Sequence, residues 1–162
     1  MLFDSILKGY PTNSFMFWKV SDQSIKSGYR FYEFIKVFRE FFAENNSDID
    51  TTNVPDFYAV IDGQQRLTSL YIGLKGSYAY KLPRKWLKDT EECILTRILY
   101  LNLKACMEQD CDYQKEFDFW FLSEPEIKDL ERQPYKYFWF KVKDILDLDS
   151  VPKLHKHMRE HD

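Results

Sequence analysis

Residues 57–74, FYAVIDGQQRLTSLYIGL, contain the transition that decides the fold. The apolar run 57–61 predicts a strand, and its lack of polar alternation predicts burial of both faces. Apolar residues then recur at helical spacing over 67–74, and Gly76 follows as a candidate cap. The stretch therefore predicts a strand, a tight glycine turn and a helix, with polar residues 62–66 at the junction.

The polar residues at this junction have the chemistry of an anion site. A helix start offers unpaired N–H groups and the positive end of the dipole, and Gly63 permits an unusual backbone path there. Arg66 falls in the first turn, where a guanidinium binds phosphate through two N–H groups. Gln64 and Gln65 donate or accept without adding charge, while Asp62 either caps the helix or holds water or a metal ion. The alternative is a plain capped turn with Arg66 paired to a surface acid.

Periodicity on both sides of the junction predicts a mixture of helices and strands. The N-terminal stretch MLFDSILKGYP (1–11) is predicted to be the tail of a helix, with Leu2, Phe3, Ile6 and Leu7 on one face and Gly9 as its cap. The other predicted helices are 31–42 on a stripe of Phe and Ile, 123–133 with a Ser123/Glu126 capping box, and a segment after Pro152. The predicted strands are 14–20, 57–61, 97–103, 116–122 and 135–142, and the predicted loops are 21–28 and 43–56.

Composition restricts the class of protein. The chain has 162 residues, 44% hydrophobic and 30% charged, which predicts one folded domain over 1–162. It has no apolar run of about 20 residues and no signal peptide, so we expect no membrane span and a cytoplasmic location. Cys93, Cys106 and Cys111 form no CxxC pair, which favours reduced thiols. The net charge of −3 gives no support for nucleic-acid binding through bulk charge.

Two other groups of residues carry weaker signals. His157 and His161 have the i, i+4 spacing of metal ligands beside His155, but a third ligand is missing, so a solvated tail is favoured and no metal site is predicted. Residues 81–88, KLPRKWLK, place four basic residues around Trp86. That segment is either a DNA contact or, as we favour, a solvated loop with one packed Trp.

The sequence IDGQQRLTSL (61–70) resembles the signature of the DGQQR family, the N-terminal domain of GmrSD-type modification-dependent restriction endonucleases. LFDSILKGYPTNSFMFW (2–18) is similar to the helix and strand that precede the signature. RILYLNL (97–103) and YFWFKVKDIL (137–146) are similar to later strands. The resemblance covers most of the chain.

The resemblance implies an α+β fold similar to ParB and sulfiredoxin, with a small mixed β-sheet flanked by helices. It implies binding and hydrolysis of a nucleoside triphosphate (NTP) with Mg²⁺, coupled to cleavage of modified phage DNA. The implied catalytic residues are Asp62, Gln64 and Gln65, and the implied phosphate-binding residues are Gly63, Gln64, Gln65, Arg66 and Thr68. Thr68 and Ser69 are equally well read as ordinary helix residues.

Two parts of the family pattern are not legible in these 162 residues. One is an upstream segment with a Gln-Arg pair that resembles part of the same pocket, which suggests an N-terminally truncated chain. The other is an HNH-type nuclease domain, through which DNA would be the partner. Two readings therefore stand beside the NTPase. They are a non-catalytic DNA-binding or protein-interaction module on the same fold, and an inactive remnant.

Overall fold

A computed structural model describes residues 2–35, 38–40, 47–84, 86, 88, 90–105 and 117–160. The fold is α+β, with a mixed sheet flanked by helices, as predicted. The helices are α1 (Leu2–Leu7), α2 (Gln23–Gly28), α3 (Gln64–Leu74), α4 (Glu124–Leu130) and α5 (Val151–Glu160), with a 3₁₀ helix at Val142–Leu146. The strands are β1 (Met16–Val20), β2 (Phe31–Tyr32), β3 (Phe38–Arg39), β4 (Asp48–Ile49), β5 (Phe57–Asp62), β6 (Tyr78–Lys81), β7 (Ile94–Asn102), β8 (Asp118–Leu122) and β9 (Trp139–Lys141).

The main sheet has five strands built around the long strand β7. Its order is β3-β6-β7-β8, with β9 paired to β7, and only the β3–β6 pair is parallel. Ile94 and Leu99 of β7 are buried, as is Leu122 of β8. Helices α1 and α3 cover the face that carries Leu99, because a Cβ at Gly73 would touch both Leu99 and Phe3. The likeness to ParB and sulfiredoxin stays a prediction.

Strands β1 and β5 form a separate antiparallel ribbon. The prediction that β5 is buried on both faces is wrong, because Tyr58 is 68% exposed and Ile61 is 54% exposed. Within the described residues β5 pairs only with β1, so no central sheet encloses it. An apolar run predicts a strand correctly here, but not how much of it is covered.

The predicted helix 31–42 is also wrong where the structure describes it. Residues 31–32 form β2 and residues 38–39 form β3, while Phe41 and Phe42 lie outside the described residues. Phe31 packs edge-on against Phe57 at 5.0 Å, and Phe38 stacks on Tyr78 at 4.7 Å. The stripe therefore serves separate partners rather than one helix face, which suits the strand preference of aromatic residues.

Other predictions meet mixed outcomes. The predicted loop 21–28 contains α2, whose N-cap Asp22 accepts a hydrogen bond from the Ser24 N–H at 2.7 Å. The predicted loop 43–56 contains β4, and its residues 43–46 lie outside the described residues. The strand predicted over 135–142 is limited to β9. The capping box of α4 is confirmed, with Glu126 accepting from the Ser123 N–H at 2.8 Å. The helices α1 and α5 and the strands β1, β7 and β8 form where predicted, within a few residues; Glu116 lies outside the described residues.

None of the helices in the described part of the chain is long and apolar enough to cross a bilayer. Cys93 is a free thiol, and the predictions for Cys106 and Cys111 fall outside the described residues.

Candidate functional site

The junction predicted from 57–74 forms as a strand, a left-handed glycine and a helix. Strand β5 ends at Asp62, Gly63 adopts φ +81° and ψ +14°, and α3 begins at Gln64. Gly63 caps the helix without a side chain. The N–H groups of the first turn have no partner within a helix, so the junction leaves donors for a ligand or for solvent. Position 63 favours glycine, since other residues are strained at this φ.

Ser14 and Phe15, which precede β1, contact the junction. A Cβ on Gly63 would lie 2.8 Å from Cδ1 of Phe15 and 3.1 Å from Nη2 of Arg66. The β1–β5 ladder slips here, pairing Met16 with Asp62 and Phe17 with Val60, so Ile61 is an extra residue on β5. Asn13 itself has φ +64°. Bulges and left-handed residues concentrate at functional sites, so this irregular backbone is consistent with a ligand site.

Arg66 is held by the protein itself. Its Nη2 donates to the Ser14 carbonyl at 2.7 Å and lies 3.5 Å from the Asp62 carboxylate. Its guanidinium also lies 5.6 Å from the centre of the Phe15 ring. The Arg66 Nε is buried and has no hydrogen-bond partner. The guanidinium is therefore fixed at the helix start with part of its donor capacity unused.

Asp62 does not cap the helix, which corrects one of its two predicted roles, because Gly63 is the cap. Its carboxylate is 65% exposed and faces Arg66. The ion pair between Arg66 and an acidic side chain, which the plain capped turn predicts, is therefore present. An exposed pair of this kind contributes at most about 1 kcal/mol, so a stronger anion can replace it.

The two glutamines differ in their contacts. The Gln64 amide donates back to the Val60 carbonyl at 2.9 Å, so this side chain ties the helix to its strand. Gln65 is exposed beside it. Thr68 lies one turn further on and is half-buried, and the Ser69 hydroxyl donates to the Gln65 carbonyl at 2.8 Å. Ser69 therefore behaves as an ordinary helix residue.

Ser14 and Phe15 complete the junction, although the sequence pattern predicts no role for them. Their only signal was position, in an aromatic segment of the predicted strand 14–20. Contact with Gly63 and Arg66 spans about 50 residues of sequence and follows from the β1–β5 register. Such a pairing is not readable from local pattern.

These residues are compatible with the phosphates of an NTP. The donor set combines first-turn N–H groups with the Arg66 guanidinium, whose side chain is 30% exposed. Asp62 is exposed and carries the oxygen chemistry that Mg²⁺ prefers. A phosphate at Arg66 would compete with Asp62 for the guanidinium, so a divalent cation would relieve the resulting repulsion.

A second concave feature lies elsewhere, in a cavity of about 440 Å³ against β7 and β9. Its lining includes Tyr100, Trp139, Lys141, Asp144 and His157. Successive strand residues face opposite sides, so Tyr100 lies on the side away from Leu99 and α3. The cavity wall formed by Tyr100, Trp139 and Lys141 therefore faces away from the side of β7 that α3 covers.

The cavity walls perturb two titratable groups. Burial raises the pKa of Tyr100 to about 12, with further contributions from Asp144, Glu124 and Glu131. Burial also lowers the pKa of Lys141 below its ordinary value, and neighbouring Lys143 adds to the shift. The wall thus holds a neutral phenol and a partly desolvated lysine.

The weaker predicted groups do not assemble into a metal site within the described residues. There, no three His, Cys, Asp or Glu side chains cluster as a metal ion requires. The His157 Nε2 lies 3.6 Å from the Asp144 carboxylate, and the His157 ring packs edge-on against Phe140. His161 lies outside the described residues. Trp86 is 82% exposed, which contradicts the packed Trp predicted for 81–88.

The comparison with protein families gives a match over nearly the whole chain. The family model of the GmrSD restriction endonuclease N-terminal domain matches residues 1–161. Comparison with curated proteins gives no match. The chain therefore belongs to the family of the GmrSD restriction endonuclease N-terminal domain.

Proposed function

We propose that this domain binds and hydrolyses an NTP at the β5–α3 junction as part of a cytoplasmic anti-phage restriction system. The family membership supports the restriction role. The observation that carries the nucleotide site is the arrangement of Gly63 and Arg66. A glycine-capped helix start and a fixed, partly exposed guanidinium converge at one turn.

The phosphates would be held by the N–H groups of residues 64–66 and by Arg66. Helix starts bind anions because their N–H groups and dipole both favour negative charge. The Ser14 carbonyl and the Phe15 ring keep the guanidinium in place before the ligand arrives. Preorganised donors of this kind stabilise the charge that develops on a transferring phosphoryl group. Thr68 would contribute through its hydroxyl, since its N–H lies beyond the open first turn.

Asp62 and the two glutamines would act on the ligand and on water. Mg²⁺ bound with the nucleotide supplies charge neutralisation between phosphate oxygens and would be held by Asp62. Gln65 is exposed and has both donor and acceptor groups to orient a water molecule. Gln64 would do so only after releasing the Val60 carbonyl, so we assign the larger role to Gln65.

The test compares nucleotide binding with and without Mg²⁺ in Asp62→Asn. We expect this variant to bind an NTP more weakly than wild type in Mg²⁺, because it loses the negative charge and one of the two oxygens that would hold the metal. In EDTA we expect the opposite order, because the variant no longer repels phosphate or competes for Arg66. ATP, GTP, CTP and UTP are compared by calorimetry, and phosphate release reports hydrolysis.

The matched control is Asp149→Asn, which removes an exposed aspartate paired with Lys153 at 2.7 Å. This variant is expected to match wild type in both buffers. Equal affinities of wild type and Asp62→Asn in Mg²⁺ and in EDTA would overturn the assignment of Asp62. Binding without phosphate release in wild type would favour the non-catalytic module.

A further inference from the structure

Residues 131–143, ERQPYKYFWFKVK, interleave basic and aromatic side chains. The segment has four basic residues and one acidic residue, although the whole chain has a net charge of −3. It also contains five aromatic residues. Basic side chains mixed with aromatic rings are typical of surfaces that bind unpaired nucleic-acid strands.

The structure brings three rings of this region together on one surface, and Tyr135 precedes one of them, Tyr137, by two residues. Trp139 lies 5.4 Å from Tyr137 with the rings 14° from parallel, and Trp120 of β8 lies 5.7 Å from Trp139. Tyr135 is 81% exposed and Trp120 is 42% exposed. We call the cluster of Trp120, Tyr137 and Trp139, together with the exposed Tyr135 next to it in sequence, the aromatic surface. It adjoins the cavity lined by Tyr137 and Trp139.

The Trp120 indole is held in a fixed orientation. Its Nε1 donates to Asp118 at 2.5 Å, and the other Asp118 oxygen accepts from the buried Asn102 at 3.2 Å. Asn102 in turn accepts from the N–H groups of Lys104 and Phe138. An exposed ring that is fixed in this way loses little conformational entropy when a base stacks on it.

Positive charges border the aromatic surface. Lys136 lies 5.2 Å from the centre of the Tyr137 ring, and Lys104 and Lys141 line the adjoining cavity. Arg132 is 79% exposed and pairs with Asp129 at 3.2 Å, an exposed ion pair that a phosphate can replace at small cost. Glu131 and Asp144 line the cavity beside the two lysines, so its lining carries both signs of charge.

We propose that the aromatic surface binds single-stranded DNA, with unstacked bases on Trp120 and Tyr135 and phosphates at Lys136 and Arg132. Ring faces stack only on bases that are free of their own neighbours, so a paired duplex does not satisfy this surface. The lysines and arginine suit a polyanion better than an apolar peptide. The proposal places DNA on the side of β7 away from α3, not at the basic segment 81–88.

The test is fluorescence anisotropy with a labelled oligo-dT of about 15 nucleotides, within the usual range for such surfaces. Tyr135→Ala is expected to weaken binding about tenfold, because it removes the ring on which one base stacks. Lys136→Gln is expected to weaken binding and to reduce the salt slope by about 0.7, the value for one phosphate contact on a single strand. Quenching of tryptophan fluorescence provides a second readout of stacking.

Matched controls separate this surface from others. Tyr58→Ala removes a tyrosine that is 68% exposed on the β1–β5 ribbon, and Lys75→Gln removes an exposed lysine at the end of α3. Both are expected to bind the oligonucleotide as wild type does. Arg66→Ala should also leave oligonucleotide affinity unchanged, so failure at the nucleotide site is distinguishable from failure here.

Three results would overturn the proposal. They are equal affinity of Tyr135→Ala and wild type, loss of binding in Trp86→Ala instead, and preference for a duplex of the same length. Competition by free dTMP at micromolar concentration would assign the surface to a nucleotide instead of a DNA strand.

Discussion

Substitution of Gly63 by alanine tests how the DGQQR turn is built. At φ +81° an alanine is strained by about 1 kcal/mol, since left-handed backbone brings Cβ close to the carbonyl. The new Cβ would also lie 2.8 Å from Phe15 and 3.1 Å from Arg66. Overpacking of this kind costs about 1–3 kcal/mol. We therefore expect Gly63→Ala to lower the free energy of unfolding by about 2–4 kcal/mol.

Urea unfolding followed by circular dichroism measures this loss. With a slope of about 2 kcal/mol per M, the midpoint should fall by about 1–2 M. Two glycines provide controls with open space around them: Gly9 has φ +72°, and Gly28 has no positive φ. Gly9→Ala should cost about 1 kcal/mol from backbone strain alone. Gly28→Ala should be neutral or stabilise by about 0.5 kcal/mol, because it restricts the unfolded chain.

A double-mutant cycle with Phe15→Ala separates the two terms at Gly63. Without the Phe15 ring, the cost of Gly63→Ala should fall to about 1 kcal/mol, the backbone strain. A cost of Gly63→Ala that is equal in both backgrounds, or below about 0.5 kcal/mol in wild type, would refute the packing of Phe15 on the turn.

Three further substitutions test the rest of the fold. Burial acts to raise the pKa of Glu126, but the opposing effect of hydrogen bonds from Arg97 and Ser123 is larger. The pKa of Glu126 therefore lies below its ordinary value of 4.5. The ionised Glu126 carboxylate therefore stabilises the fold above pH 4.5, and this contribution is lost as the pH falls through the folded pKa. Glu126→Gln should have a free energy of unfolding about 1–2 kcal/mol below that of wild type at pH 7. Urea titrations should show this difference narrowing below pH 4.5. Gly73→Ala should destabilise by about 1–3 kcal/mol in thermal unfolding, because its Cβ would overlap the Phe3 ring that joins α1 to α3. Lys26→Met should cost about 1–3 kcal/mol, because the buried ammonium donates to Val54 O and Asp56 at 3.0 and 3.2 Å; no loss would show that this contact does not stabilise the loop.

The sequence pattern predicted most of the helices and strands whose structure depends on residues nearby in the sequence. The α4 capping box needs only Ser123 and Glu126, and the β5–α3 junction needs only the break at Gly63. The helix predicted from the phenylalanine spacing over 31–42 did not form, because Phe31 and Phe38 pack against β5 and β6, which are distant in sequence. The spacing of the phenylalanines favours a helix, whereas their contacts with distant strands favour strands, and these contacts determined the structure.

The candidate site was predictable in part for the same reason. Asp62 to Arg66 are consecutive residues, so their convergence at one turn follows from a strand meeting a helix. The Asp62–Arg66 pair and the Ser14 carbonyl bond depend on rotamers and on the β1–β5 register. The aromatic surface needed the pairing of β8 and β9 on either side of β7 to place Trp120 beside Trp139.

Calorimetry of NTP binding to wild type and Arg66→Ala tests the central claim most directly. Arg132→Ala, which removes an arginine that is 79% exposed, is the matched control. We predict that Arg66→Ala weakens NTP affinity at least tenfold, because charge-assisted bonds to an arginine contribute about 1.5–3 kcal/mol, while Arg132→Ala binds as wild type does. Equal affinity of wild type and Arg66→Ala, with the variant folded by circular dichroism, would contradict a phosphate site at the DGQQR turn.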